Sequence, residues 1–196
     1  MKKDPTNWHM VFWVLMIIFH EKILKPFCVA ILIFIGFLSF MHFHKVEASV
    51  MSCKEVSKLS DKQVMNVYKS YQRGSEDDLG YTLAAIAWRE SSLGKYRVNY
   101  RSNDYGVYGI NLATIQRLEK TDKYYKTVEH IQETIFDDDK GAQYALRTLR
   151  WNLQYHKGDW RKAVMHYNKG NKWWLGQDYV NDISIKVRIL RTCLPQ

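Results

Sequence analysis

The sequence predicts an all-α domain, residues 49–196, preceded by an N-terminal membrane segment. From residue 60 onward, apolar residues recur at offsets of three and four, which is the spacing of one helix face. No stretch alternates between apolar and polar residues over a full strand length. Before residue 48, the run from Phe27 to Phe43 is almost wholly apolar. A chain of 196 residues, 46% of them hydrophobic, is long enough for one globular domain with a short appendage.

The leader, residues 1–48, holds two apolar runs. The first, Met10 to Phe19, is too short to span a bilayer as a helix, whereas the second, 27–43, reaches the lower limit for spanning. Because basic residues favour the cytoplasmic side, we expect the N-terminus in the cytoplasm and residues 49–196 outside. The basic residues before the second run are Lys2, Lys3, Lys22 and Lys25.

The sequence leaves open whether this leader is removed. Val46-Glu47-Ala48 has small or slim residues at the two positions that a signal peptidase inspects, so cleavage after Ala48 is one alternative. The long leader fits an uncleaved signal anchor equally well. A start codon assigned upstream of a shorter signal peptide would give the same sequence.

The three cysteines are consistent with export. Cys28 lies inside the apolar segment, where a thiol acts as a small hydrophobe. Cys53 and Cys193 lie near the two ends of the remaining chain, so in an oxidising compartment a disulfide could join its termini. The alternative is two free thiols. No CxxC or His-rich spacing indicates a zinc site.

The predicted helices follow one another with short breaks. Ser60 or Asp61 caps the first helix, and the acidic residues 76–78 lie in the first turn of the second, where they complement the helix dipole. The acidic run 137–139 precedes the fifth helix, and Asp159 caps the sixth. The predicted helices span residues 60–73, 76–91, 112–120, 124–136, 140–155, 160–168 and 179–191.

Two segments need a separate interpretation. Residues 95–100 and 105–110, between the second and third helices, are predicted to form a small hairpin flap. The longest helix, 140–155, keeps its apolar spacing over about four turns and is predicted to pack on the second helix. The three adjacent acids at 137–139 need only a helix start to explain them, so we predict no metal site.

Glu90 is the candidate catalytic residue. It continues the apolar stripe formed by Leu79, Leu83 and Ile86, so an acid ends a buried helix face. Burial favours the protonated form of a carboxyl group, which a general acid near neutral pH requires. A solvated or salt-bridged Glu90, paired with Arg89 or Lys95, is the alternative. The loop after Glu90 carries small, amide and aromatic side chains that suit a sugar-binding groove.

Three short motifs around Glu90 resemble the soluble-lytic-transglycosylase family and, more distantly, goose-type lysozyme. Glu90-Ser91 ends a helix, residues 106–111 read Gly-Val-Tyr-Gly-Ile-Asn, and residues 163–170 read Ala-Val-Met-His-Tyr-Asn-Lys-Gly. Their order and separations agree with the family, and the resemblance covers roughly 79–190. One position departs from the family pattern, because Gly109 stands where the family has Gln.

The resemblance implies a lysozyme-like helical domain that cleaves peptidoglycan glycan strands and needs no cofactor. In this family a single Glu first acts as acid and then as base, forming a 1,6-anhydro ring without consuming water. Glu90 would take that role, Tyr167 would approach it with its hydroxyl, and Tyr108 would line the groove. The remaining residues implied to bind substrate are Ser91, Gly106, Asn111 and Asn168.

Two alternative functions stay open. A hydrolytic muramidase would use a second acid, for which Asp104 is the nearby candidate, although its Ser-Asn-Asp-Tyr-Gly setting is typical of a turn. A catalytically weak murein-binding module could instead position a secretion or phage apparatus, so a trans-envelope machine is a further candidate partner. The departure at Gly109 keeps that second alternative open.

Charge and export together indicate where the protein acts. Residues 49–196 hold 24 basic and 17 acidic side chains, so the domain is attracted to the carboxylates of murein and to anionic lipid headgroups. No helix-turn-helix, zinc-finger or RNP signature accompanies this charge, and export argues against nucleic-acid binding. We expect the protein in the bacterial inner membrane facing the periplasm, or periplasmic or secreted if it is cleaved after Ala48.

Overall fold

A computed structural model describes residues 53–121 and 123–194, together with residue 34. The described domain belongs to the unit from Ser52 to Gln196. The predicted membrane segment, 27–43, lies outside the described residues except for Phe34, and so does the predicted cleavage site after Ala48. Among the helices that are described, none combines the length and the apolar character that crossing a bilayer requires.

The described domain is mainly helical, which confirms the helical part of the predicted fold class. A helical turn at 53–56 precedes the first long helix, and two 3-10 helices, Ser75–Asp77 and Gly170–Leu175, lie between longer ones. The α-helices are α1 (Asp61–Gly74), α2 (Gly80–Ser91), α3 (Leu112–Glu119), α4 (Tyr124–Phe136), α5 (Asp138–Tyr155), α6 (Trp160–Lys169) and α7 (Gln177–Cys193). The strands are β1 (Val98–Asn99), β2 (Asp104–Tyr105) and β3 (Ile110–Asn111).

The predicted caps at Ser60 and Asp159 form, and the acidic run 137–139 lies at a helix start as predicted, with Asp137 as the cap. Ser60 and Gln63 make a capping box at the start of α1, and Asp137 and Asp159 accept backbone N–H bonds at the starts of α5 and α6. The start of α2 differs from the prediction by four residues. Asp78 has a left-handed backbone, φ 61°, so the acidic residues 76–78 form a separate turn instead of the first turn of α2.

The predicted flap is a three-stranded antiparallel sheet in the order β1-β2-β3. Val98 pairs with Tyr105, and Tyr105 pairs with Ile110, so the second predicted strand, 105–110, is split into two. The split occurs because Gly106 and Gly109 both have positive φ and turn the chain between Tyr105 and Ile110.

Helix α2 lies at the centre of the hydrophobic core. Its residues from Leu83 to Ala87 are completely buried, and the helix contacts α1, α5 and α7. The predicted packing of 140–155 on the second helix is therefore confirmed. Each fully buried Leu or Ile side chain contributes about 2 kcal/mol through removal of apolar surface from water. The catalytic candidate thus lies at the end of a helix whose centre is completely buried.

Cys53 and Cys193 are joined by a disulfide in the structure, with their Cα atoms 5.4 Å apart. The bond connects the helical turn at 53–56 to the last residue of α7. It therefore closes a loop of the chain with a sequence separation of 140 residues.

Candidate active site

Glu90 lies where two cavities meet. The larger, of about 740 Å³, is bordered by the end of α2, the flap, α3, α5 and α6. The smaller, of about 490 Å³, lies on the side of β1. Glu90, Asp104 and Gly109 line both cavities. The two cavities together form a cleft, and its two arms give an extended ligand access to Glu90 from both sides.

Burial raises the pKa of Glu90 from its ordinary value of 4.5 to about 7, and the charge of Asp104 acts in the same direction. Tyr179, Arg89 and Lys169 oppose this shift. The salt-bridged alternative is not found within the described residues, since Arg89 pairs with Asp182 at 3.5 Å. Lys95 instead lies over the ring of Tyr96. At neutral pH, Glu90 is therefore poised between its acid and base forms.

Tyr167 lies in the cleft but is not hydrogen-bonded to Glu90. Its hydroxyl donates instead to the backbone carbonyl of Tyr108 at 2.8 Å. It still lies close enough to Glu90 for the two groups to interact electrostatically, so the approach of the Tyr167 hydroxyl to Glu90 stays a prediction. Burial and the charge of Glu90 raise the pKa of Tyr167 well above its usual range. A neutral Tyr167 therefore holds the flap loop against α6 beside the carboxyl group.

Sequence reasoning missed Tyr179, on the first turn of α7. Its hydroxyl lies close enough to Glu90 to lower the pKa of that carboxyl, and within the described residues it has no formed hydrogen bond. A buried hydroxyl without a partner is available to donate to the carboxylate form of Glu90. No pattern in the sequence predicts that Tyr179 and Glu90 are neighbours, because they are brought together by the packing of α2 on α7.

Ser91 and Gly106 shape the loop instead of lining the larger arm of the cleft. The buried Ser91 hydroxyl donates to the Val107 carbonyl at 2.7 Å and accepts a bond from the Gly94 N–H. Gly106 has φ 78°, and a Cβ there would lie 2.3 Å from the Thr134 carbonyl oxygen. The close approach that Gly106 permits is therefore to α4, although the residue also borders the smaller arm.

Tyr108 does not line the cleft, contrary to the prediction. Its ring is completely buried in the core, and its hydroxyl lies 3.0 Å from that of Ser70 on α1. The turn between Gly106 and Gly109 directs this ring inward, so only its carbonyl contributes to the site, as the acceptor for Tyr167. Tyr108 is thus an anchor of the loop.

Asn111 and Asn168 both border the larger arm of the cleft. Asn111 caps α3 and donates to Asp104 Oδ1 at 2.9 Å and to the Ser102 carbonyl. Its side chain therefore holds Asp104 and the flap in place. Asn168 is exposed near the end of α6, and Gly170 occupies the C-cap position of that helix.

Gly109 is explained by its contact with Glu90. It has φ 59°, and a Cβ at this position would lie 2.7 Å from Glu90 Oε2 and 3.0 Å from Glu90 Cβ. Any side chain here is strained by the positive φ and also collides with the catalytic candidate. The glycine at the position where the family has Gln is therefore suited to this arrangement of the carboxyl group.

We expect Gly109→Ala to displace the Glu90 carboxyl toward the water of the cleft and to lower its pKa toward 4.5. NMR titration of the side-chain carboxyl measures this. The strain of positive φ should also cost about 1 kcal/mol of stability. Gly158→Ala is the matched control, because Gly158 has φ 84° with nothing within 4 Å of its Cβ position. An unchanged Glu90 pKa in Gly109→Ala would contradict the explanation that Gly109 makes room for the Glu90 carboxyl.

The acidic run 137–139 has structural partners. Asp137 caps α5, Asp138 pairs with Arg97, and Asp139 pairs with Arg73. In residues 53–121 and 123–194, no group of three or more His, Cys, Asp or Glu side chains is arranged to hold a metal ion. The run is thus accounted for by a helix start and two ion pairs.

Comparison with known proteins gives two matches. Residues 56–184 match the family described as Transglycosylase SLT domain. A protein of Enterobacteria phage T4, described as an uncharacterized 20.7 kDa protein in the vs-regB intergenic region, is 32% identical over 128 residues. That match covers 63% of this chain and 69% of the phage protein. No solved structure matches the chain.

Proposed function

The chain belongs to the Transglycosylase SLT domain family, and from this membership we propose that it is a lytic transglycosylase of peptidoglycan. Its reaction would break the bond between N-acetylmuramic acid and N-acetylglucosamine and leave 1,6-anhydro-muramic acid ends. The observation that supports this proposal best is the Glu90 carboxyl group, whose pKa of about 7 suits an acid that also acts as a base, at the meeting point of two cavities.

In the first step, Glu90 acts as a general acid. Its proton passes to the glycosidic oxygen as the bond from that oxygen to C1 of muramic acid breaks. Positive charge develops at C1, where the substrate's own acetamido group can steady it. With a pKa of about 7, a large share of Glu90 carries the required proton at neutral pH.

In the second step, the Glu90 carboxylate acts as a base. It takes the proton of the muramic acid 6-hydroxyl while O6 bonds to C1, which closes the anhydro ring and returns Glu90 to its protonated form. The Tyr179 hydroxyl can donate to the carboxylate in this interval, and the charge of Lys169 also favours it. No water is consumed, so the reaction requires only one acid.

A hydrolytic muramidase is the second candidate, because Asp104 lines both arms of the cleft with Glu90. A carboxylate in that position could activate a water molecule on the opposite side of the sugar. However, Asp104 lies in β2 and accepts a hydrogen bond from Asn111 on β3, so it also has a structural role. The two candidates predict different products.

Mass spectrometry of the released muropeptides tests the proposal. Full-length protein in detergent is incubated with peptidoglycan sacculi, and we expect products lighter than the hydrolytic ones by one water. Products with reducing ends would make the protein a muramidase and leave Asp104 as the candidate second carboxylate, to be tested by its own substitution. Binding of sacculi without any release of products would favour the murein-binding module.

We also propose that residues 49–196 act outside the cytoplasm, with 27–43 as a membrane anchor or as part of a signal peptide removed after Ala48. The basic balance of residues 49–196 and the Cys53–Cys193 disulfide support this location. An alkaline phosphatase fusion after residue 48 should be enzymatically active in bacteria. An inactive, cytoplasmic fusion would refute the proposed location.

A further inference from the structure

Arg117 is a cation in the cleft without an acidic partner. It lies on α3, six residues after Asn111, so the helical rise places its Cα about 9 Å along α3 from the cap. Both residues line the larger arm of the cleft. Within the described residues its guanidinium makes neither an ion pair nor a hydrogen bond to the protein, whereas Arg147 and Arg150 pair with Glu119 and Asp77.

Aromatic packing holds Arg117 in place instead. Its guanidinium carbon lies 5.4 Å from the ring centroid of Trp151 on α5. Trp151 is stacked on Tyr155 with an interplanar angle of 19°, and its edge meets His166 at 5.4 Å. A guanidinium held over an indole face by a cation–π contact uses none of its N–H groups for that contact, so they remain able to bind an anion.

Charged side chains lie at several points of the cleft, with Lys169 and Arg117 in the larger arm and Arg97 and Arg101 in the smaller one. The acidic side chains of the cleft, Glu90 and Asp104, lie together at the meeting point of the two arms. At the Trp151 end, burial lowers the pKa of His166, and its Nδ1 is within hydrogen-bond distance of His156. Burial thus favours the neutral form of His166, whereas Arg117 beside Trp151 keeps its positive charge.

The positive charge of Arg117 would attract an anionic group of the substrate. The N-acetylated sugars of a glycan strand are neutral, so the anionic group closest to the strand is carried on the lactyl ether of muramic acid. That group is the lactyl carboxylate itself in peptide-free strands, or a carboxylate of the stem peptide in substituted ones. A carboxylate accepts two parallel N–H bonds from a guanidinium, and this pairing is stronger than one between neutral groups.

We propose that Arg117, supported by Trp151, forms a subsite for a carboxylate carried on the lactyl ether of muramic acid. This inference rests on the proposed function, because it assumes that a murein strand occupies the cleft. It assigns Arg117 as a specificity residue that selects carboxylate-bearing strands, separate from the proton transfer at Glu90.

The test compares three glycan substrates with the full-length protein. One carries stem peptides, one is peptide-free with lactyl carboxylates, and one is peptide-free with those carboxylates converted to amides. We expect wild type to prefer a carboxylate-bearing strand over the amide by about tenfold in kcat/KM, and Arg117→Gln to lose this preference. Arg188→Gln removes the same charge from an exposed position on α7 and should keep the preference.

The outcomes separate this inference from the proposed function. If the preference is seen only with stem peptides, the peptide supplies the carboxylate, and if it is seen only with the peptide-free acid, the lactyl group supplies it. Equal kcat/KM ratios in wild type and Arg117→Gln would overturn the subsite. If none of the strands is cleaved, the proposed function fails, and co-sedimentation with the same three strands then decides whether Arg117 selects carboxylates.

Discussion

Glu90→Gln is expected to reduce the rate of glycan cleavage by about 10³-fold, because it removes the group that donates and recovers the proton in the proposed mechanism. Glutamine has nearly the same shape but cannot transfer a proton, so binding of the strand should persist. Release of muropeptides from sacculi measures the rate. Glu129→Gln, the same substitution at an exposed position on α4, is the control and should keep wild-type activity.

The pH dependence of the cleavage rate identifies the group that transfers the proton. In the proposed mechanism cleavage needs protonated Glu90, so the rate should fall as the pH rises through about 7. Tyr179 lowers the pKa of Glu90, hence Tyr179→Phe should move this alkaline limb to higher pH. An alkaline limb in the same place in both proteins would show that another group controls it.

Stability provides a check that Glu90→Gln is folded. The pKa of Glu90 is higher in the folded chain than its ordinary value of 4.5, so between pH 4.5 and about 7 the folded state binds more protons. The contribution of Glu90 to stability is therefore full below pH 4.5 and lost as the pH rises through 7. Glutamine cannot ionise, so at pH 8 the variant should unfold at a temperature at or above that of wild type.

Replacing both Cys53 and Cys193 by serine is expected to lower the free energy of unfolding by about 5 kcal/mol. The disulfide closes a loop with a sequence separation of 140 residues, and such a cross-link restricts the unfolded chain strongly. The loss is comparable with the whole stability of many domains. We therefore expect the double variant to unfold at a much lower urea concentration, or to fail to fold at 37 °C.

Cys28→Ser is the control for this prediction, because it removes the third cysteine and leaves the pair intact. Its urea midpoint should equal that of wild type without reductant. Reduction of wild type should reproduce the midpoint of the double variant. Equal midpoints for oxidised wild type and the double variant would show that the bond contributes nothing to the stability of the domain.

Local patterns in the sequence predicted most of the helical fold. Six of the predicted helices agree with α1 and α3–α7 to within two residues at each end, because caps and apolar spacing are set by neighbouring residues. In the structure the second helix begins four residues after its predicted start, because the left-handed backbone at Asp78 leaves no periodic signal in the sequence. The split of the flap by Gly106 and Gly109 was missed for the same reason.

The sequence by itself determined the identity of the candidate acid, since Glu90 ends an apolar stripe and begins a recognisable motif. Only the tertiary structure decided what surrounds it. Three features of the site depend on contacts between distant segments. They are the inward ring of Tyr108, the hydrogen bond from Tyr167 to the loop carbonyl, and the position of the Tyr179 hydroxyl near Glu90. Periodicity records which face of a helix is buried, but it carries no information about which distant side chain lies opposite.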